Sequence, residues 1–153
     1  MTHRLSKSRF LSGMQCHKKL WIETHYPARI PPPTPADERI FQQGHQVGHL
    51  AQDQFPGGVL IDADYLHISE ALRDTEAALQ RDVPVLFEAA FIYDHVLVRP
   101  DILQKNADGS WNLIEVKSST GVKDEYLYDV AIQQYVMTGA GLTIQQAAVM
   151  HIN

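Results

Sequence analysis

The stretch "FEAAFIYDHVLVRPDILQKNADGSWNLIEVKSS", residues 87–119, decides the reading of this chain. Its apolar runs are separated by two turn signals, Tyr93-Asp94 and Asn106-Ala107-Asp108-Gly109, which predict three strands over Pro84–Ile92, His95–Gln104 and Trp111–Ser118 joined as hairpins. Alternation with a period of two puts Leu113, Glu115 and Lys117 on one face of the third strand. Hairpin pairing then brings Asp101, from the second strand, beside Glu115. Valine or leucine would pack better at those positions, so the charges call for a reason outside packing.

Outward from this core, Thr34-Pro35-Ala36-Asp37 supplies a capping hydroxyl, a proline at the first helical position and an acid three residues after the cap. The helix it starts runs to about Gln54, with Ile40, Val47, Leu50 and Ala51 on its buried side. Gly44 and Gly48 lie one turn apart within it, and glycine costs about 1 kcal/mol in a helix interior, which predicts close approach by another backbone. Val59-Leu60-Ile61 reads as a short strand. Ser69 to Gln80 reads as an amphipathic helix capped by Ser69, with Ala71, Leu72 and Leu79 inward. After the hairpins come a helix from about Lys123 to Thr138 and a last strand from Gln146 to Ile152. The fold class is therefore α/β, a central mixed β-sheet flanked by helices in the order α-β-β-β-α-β.

The N-terminal segment, residues 1–26, reads as one helix or a pair of short ones, interrupted by Gly13. Five prolines between Pro27 and Pro35 make an extended connector, and the α/β core occupies 36–153. With 153 residues, 44% of them hydrophobic, the chain can bury one sizeable core. The last strand ends on Val149-Met150-His151-Ile152-Asn153 with no tail, which fits a piece of a longer protein with a further domain or partner beyond it.

A single cysteine, Cys16, allows no internal disulfide and suits a reducing cytoplasm. No apolar run is long enough to span a membrane, and MTHRLSKSRFLSG lacks the apolar core of a signal peptide. The net charge of −5 hides an asymmetry: residues 1–29 carry Arg4, Lys7, Arg9, Lys18, Lys19 and Arg29 against Glu23 alone, and the acids lie beyond. A basic arm that meets phosphates beside an acidic body that holds cations is one reading, and ordinary solvated helix surface is the other.

Two carboxylates forced together repel and raise one another's pKa unless a cation lies between them. A hard divalent ion resolves that conflict, because Mg2+ binds through one or two carboxylates plus waters and phosphate oxygens. Lys117 beside such an ion can orient water or steady negative charge as a phosphodiester is cut. Glu88, on the first strand between Phe87 and two alanines, is a further catalytic candidate. A lone acid-x-lysine triplet is usually an exposed strand face with a weak ion pair, but here apolar neighbours flank it.

Arg99-Pro100-Asp101 followed fourteen residues later by Glu115-Val116-Lys117 resembles the PD-(D/E)XK nuclease superfamily. More narrowly it is similar to the RecB-like branch that includes CRISPR-associated exonucleases and bacterial relatives. "LSKSRFLSGMQCHKKLW" resembles that branch's N-terminal segment, so the likeness extends over most of the chain. It implies a restriction-endonuclease-like core and Mg2+ or Mn2+ held by Asp101, Glu115 and the Val116 carbonyl, with Lys117 assisting the water. A histidine on the helix before the sheet is also implied. "GHQVGHLAQ" offers His45 and His49, with Gly48 where the branch's histidine falls, and His49 is the expected metal ligand. The branch's Gln, followed by a Tyr one turn later, maps onto Asp129 and Gln133, so Gln133 is expected at the DNA or at the lysine. The branch's iron-sulfur cluster needs four cysteines and is not supported by Cys16 alone. Cys16-His17 with His25 suggests zinc less well than a small residue packed in a helix.

The resemblance thus implies a metal-dependent DNA exonuclease, its pathway left open between DNA repair, CRISPR adaptation and mobile-element defence. The composition adds a cytoplasmic location, and the charge of the basic segment adds Lys7, Arg9, Lys18 and Lys19 as the residues expected to grip DNA phosphates. Two alternatives stay open: a catalytically silent nuclease fold serving as a DNA-binding or assembly module, and a different metal-dependent hydrolase on a similar sheet.

Overall fold

A computed structural model describes residues 4–153. The chain is α/β, with two mixed sheets flanked by helices. A short strand β1 (Leu5–Ser6) leads into α1 (Lys7–Gln15) and α2 (His17–His25), followed by a single 3-10 turn at Pro27–Arg29 and the long α3 (Pro35–Gln52). Then come β2 (Val59–Leu60), α4 (Ile68–Leu79), β3 (Val85–Phe87), β4 (Phe91–Tyr93), β5 (Val96–Val98), β6 (Ile102–Lys105), β7 (Trp111–Lys117), α5 (Asp124–Gly139) and β8 (Ile144–His151).

The expected three-strand meander is corrected in one respect that matters for the site. Its first two strands each break in the middle, so their halves join different sheets: β1-β5-β4 form one, and β2-β3-β6-β7-β8 the other. The order is therefore not the simple α-β-β-β-α-β expected. One break falls at Glu88, whose φ of 56° turns the chain out of strand geometry. The other falls at Arg99-Pro100-Asp101, where proline cannot donate to a ladder. Arg99 closes both breaks together. Its guanidinium donates to the Glu88 carbonyl at 3.0 Å, the Ala63 carbonyl at 2.6 Å and the Ile61 carbonyl at 2.9 Å.

Alternation sorts the side chains of the larger sheet between its two faces. Leu86, Leu103 and Leu113 pack with Ala71 and Ala78 of α4 and with Val130, Val136 and Met137 of α5. Val85, Phe87 and Ile102 pack on the other face with Ala51 of α3, joined by Ile114 and Val116. β6 and β7 pair antiparallel, β7 and β8 parallel with α5 as the crossover.

α3 begins as its sequence predicts: Thr34 and Asp37 form a reciprocal capping box with Pro35 in the first turn. Its packing differs. Ala51 is buried, but Ile40 and Leu50, expected inward, are 60% and 64% exposed. A Cβ added at Gly44 or Gly48 would meet nothing within 4 Å, so these glycines border open space and not the backbone expected there. Three smaller expectations are also revised. Helix α4 starts at Ile68 without a Ser69 cap, its approach held instead by Asp64, which accepts from the Leu66 and His67 amides. The N-terminal break falls at Cys16, exposed and extended between α1 and α2, and not at Gly13, which lies inside α1 against Leu20. β2 stops at Leu60.

Candidate active site

The β6–β7 register, Ile102 opposite Ile114, continues to set Asp101 opposite Glu115. The Val116 amide donates to Asp101 Oδ2 at 2.6 Å, which fastens the acid to the neighbouring strand just past the end of the ladder. Asp101, Glu115 and Lys117 thus come together, as the alternation predicts.

Glu115 is 2% exposed, and both of its carboxylate oxygens are hydrogen-bonded. Lys117 Nζ and Lys7 Nζ each donate to its Oε1 at 2.8 Å, and Gln133 Nε2 donates to its Oε2 at 2.8 Å. Asp129, 1% exposed on α5, closes the cluster: it accepts from Lys117 at 2.6 Å and from Gln133 at 2.9 Å and lies 3.4 Å from Lys7. Two acids, two lysines and one amide form a neutral buried network. Such a network is tolerable because each charge is paired and hydrogen-bonded.

The electrostatics separate the two acids. Burial alone would raise Glu115, but Lys7 and Lys117 outweigh it and hold its carboxyl down at about 2. Asp101 lacks such partners at close range. Burial, then the Glu115 charge, push it up to about 7, against the pull of Lys7 and of the Val116 amide. Both lysines are raised above the ordinary value; burial opposes this, and Glu115 and Asp129 overcome it. Glu88 is raised by burial, against Arg99 and Lys7.

A cleft of about 630 Å3 opens between α3 and this cluster, walled by Gly44, His45, Gly48 and His49 on one side and by Glu88, Asp101, Glu115 and Lys117 on the other. Both histidines line the cleft wall. His49, expected to join the acids on a metal, does not converge with them: among the described residues no group of three or more His, Cys, Asp or Glu side chains is placed to hold an ion. Gln133, expected at the DNA, is fully buried and its amide is occupied by Glu115 and Asp129, out of a strand's reach. Lys7, expected at DNA phosphates, reaches inward to Glu115 instead. Arg9, Lys18 and Lys19 are exposed on α1 and α2. Sequence reasoning named Asp129 only as the position of the branch's Gln and missed both its place in the cluster and the inward reach of Lys7. The signal for Asp129 is its spacing of four from Gln133 on one helix face; for Lys7, 108 residues from Glu115, there is none.

Asp101 and Glu115 are oxygen donors, the ligand type a hard divalent ion takes. Asp101, its pKa raised by burial and by the Glu115 charge, lies opposite Glu115. An ion there would complete its shell with the Val116 carbonyl, waters and substrate oxygens.

Fold and site together define an α/β protein with a buried acid–lysine cluster at the floor of a cleft. Neither a protein-family model nor a curated protein matches the chain, and among the described residues no helix is long and apolar enough to cross a membrane.

Proposed function

We propose that this chain is a metal-dependent DNA nuclease of the cytoplasm, with a restriction-endonuclease-like core and a RecB-like active site. The observation that carries the reading is the convergence of Asp101, Glu115 and Lys117 at one end of the cleft, Lys117 Nζ lying 2.8 Å from Glu115 Oε1 and the Val116 amide 2.6 Å from Asp101 Oδ2. Asp101 and Glu115 with the Val116 carbonyl would hold Mg2+ or Mn2+, which supplies positive charge for the oxygens of the phosphate and an acidified water. Asp129 and Glu115 fix the Lys117 ammonium. Kept protonated by them, Lys117 serves as a cation that donates to a phosphate oxygen and not as the base that removes a proton. Glu88, with its raised pKa and its place on the cleft wall, is the group suited to accept a proton from water. Arg9, Lys18 and Lys19 add sequence-independent attraction for the backbone.

The test is incubation with end-labelled single-stranded, duplex and circular DNA in Mg2+, Mn2+ or chelator. The expected result is metal-dependent cleavage, abolished in Asp101→Ala while DNA binding persists. Absence of any metal-dependent product on all three substrates would overturn the reading.

One observation favours a second reading, a silent nuclease fold that binds DNA or assembles with a partner: Lys7 and Lys117 both occupy Glu115 Oε1, so that carboxylate oxygen is neutralised without an ion. That reading expects DNA binding unaffected by Asp101→Ala and no cleavage in any metal.

A further inference from the structure

We propose that a second cleft, between α1 and α5, is a nucleobase subsite that receives one unpaired base of the strand whose backbone lies in the first cleft. This rests on the nuclease reading and adds to it a site outside the acid–lysine cluster.

Position is the first argument. Lys117 lines both clefts, so the second lies one side chain away from the first. A strand crossing Lys117 delivers its neighbouring nucleotide there. Size is the second. The cleft holds about 490 Å3, within the roughly 300–1,000 Å3 range of small-ligand sites.

The walls are the third argument. Helix α1 turns Ser8, Ser12 and Gln15, at helical spacing, toward the cleft, with Leu11 and Met14 beside them. Opposite, the first turns of α5 contribute Tyr126 and Tyr128. Flat rings and apolar side chains beside hydroxyl and amide groups and the Glu125 and Asp129 carboxylates match a planar heterocycle with polar, amino-bearing edges. The apolar part is open: Met14 is 50% and Tyr128 49% exposed. Lys19 stands at the rim, its ammonium on Gln15 Oε1 at 2.8 Å, where it can meet the next phosphate. A paired base keeps its edges in the duplex and cannot enter, so the occupant is unpaired.

Binding is measured in chelator with the full chain and two fluorescein-labelled short single strands, one with bases and one abasic throughout, so that no cleavage intervenes. The base-bearing strand should bind about tenfold tighter than the abasic one, the lower range for one stacked base. Tyr128→Ala should abolish most of that preference and leave the abasic affinity unchanged, and Tyr128→Phe should restore it. A strand carrying 5-iodouracil should photocrosslink to Tyr126 or Tyr128. Equal affinity for the two strands, or crosslinks confined to other residues, would overturn the subsite. Where either result accompanies metal-dependent cleavage, the subsite falls and the nuclease reading stands; where neither binding nor cleavage is seen, both fall.

Discussion

The two faces of β7 are built on opposite terms. Toward α1 and α5, Leu113 is buried, and the Glu115 and Lys117 charges have partners at hydrogen-bond distance. Toward α3 lies the cleft, with glycines over open space and Ile40, Phe41 and Leu50 more than half exposed. One face is held by paired charges around the buried Glu115 and Asp129; the other tolerates change because little touches it. A site for a large polar substrate needs both, a fixed set of reacting groups and a wall that leaves room.

The largest predicted effect breaks the rigid face. Glu115→Gln leaves Lys7 and Lys117 with Asp129 as their one close acid, and removing one partner from a buried charge network costs about 3–5 kcal/mol. Denaturant unfolding should show that loss. A change under 1 kcal/mol would mean the network is looser than its distances imply. Next comes Arg99→Ala, which removes three hydrogen bonds to carbonyls where the two sheets part. A loss of about 3 kcal/mol is expected, since bonds from a charged donor contribute roughly 1.5–3 kcal/mol each and water reaches the vacated carbonyls. Arg99→Lys should recover only part of it, because an ammonium lacks the planar fork.

Asp101 and Glu115 predict opposite dependences on pH. With its pKa pushed up to about 7, folded Asp101 keeps a proton that the unfolded chain has already lost above about 4. Stability therefore falls as pH rises from about 4 to 7. Glu115, held at about 2, stabilises the fold above the ordinary glutamate pKa, and this is lost as pH falls toward 2. From these two groups the optimum lies near pH 4. Asp101→Asn removes the first dependence, so at pH 8 the variant should be more stable than the parent by up to about 3 kcal/mol, while any cleavage is lost. Thermal unfolding by circular dichroism at pH 4, 6 and 8 reads this directly; a variant less stable at pH 8 would contradict the buried, partner-poor state of Asp101.

What was legible in the sequence follows the same division between local and distant causes. β7 was readable because alternation is local, and so were the capping box of α3 and the turn at Asn106–Gly109, where Gly109 adopts a φ of 84°. The breaks at Glu88 and Arg99 were not, because apolar residues run on through both and the bend depends on bonds from Arg99 to carbonyls 36 and 38 residues away. Lys7 was misjudged for the same reason. Its charge marked it as a surface residue, and only the parallel pairing of β1 with β5 carries it to Glu115. Asp101, Glu115 and Lys117 were found from two neighbouring strands; Asp129 and Lys7, which complete the cluster, come from helices that dock over them.

The smallest effect sharpens the open face. Ala at Gly44 adds a Cβ that meets nothing within 4 Å, so the substitution should stabilise α3 by about 0.5–1 kcal/mol through helix propensity alone. Were the backbone closely approached there, as the sequence suggested, it would destabilise instead. Gly44→Leu separates room for the fold from room for a substrate. It should leave the melting temperature within a few degrees of the alanine variant's, yet weaken DNA binding or cleavage, because the added side chain projects into the space between α3 and Asp101. Equal activity of the two variants would mean that the strand enters from the α5 side and that the α3 wall is not part of its path.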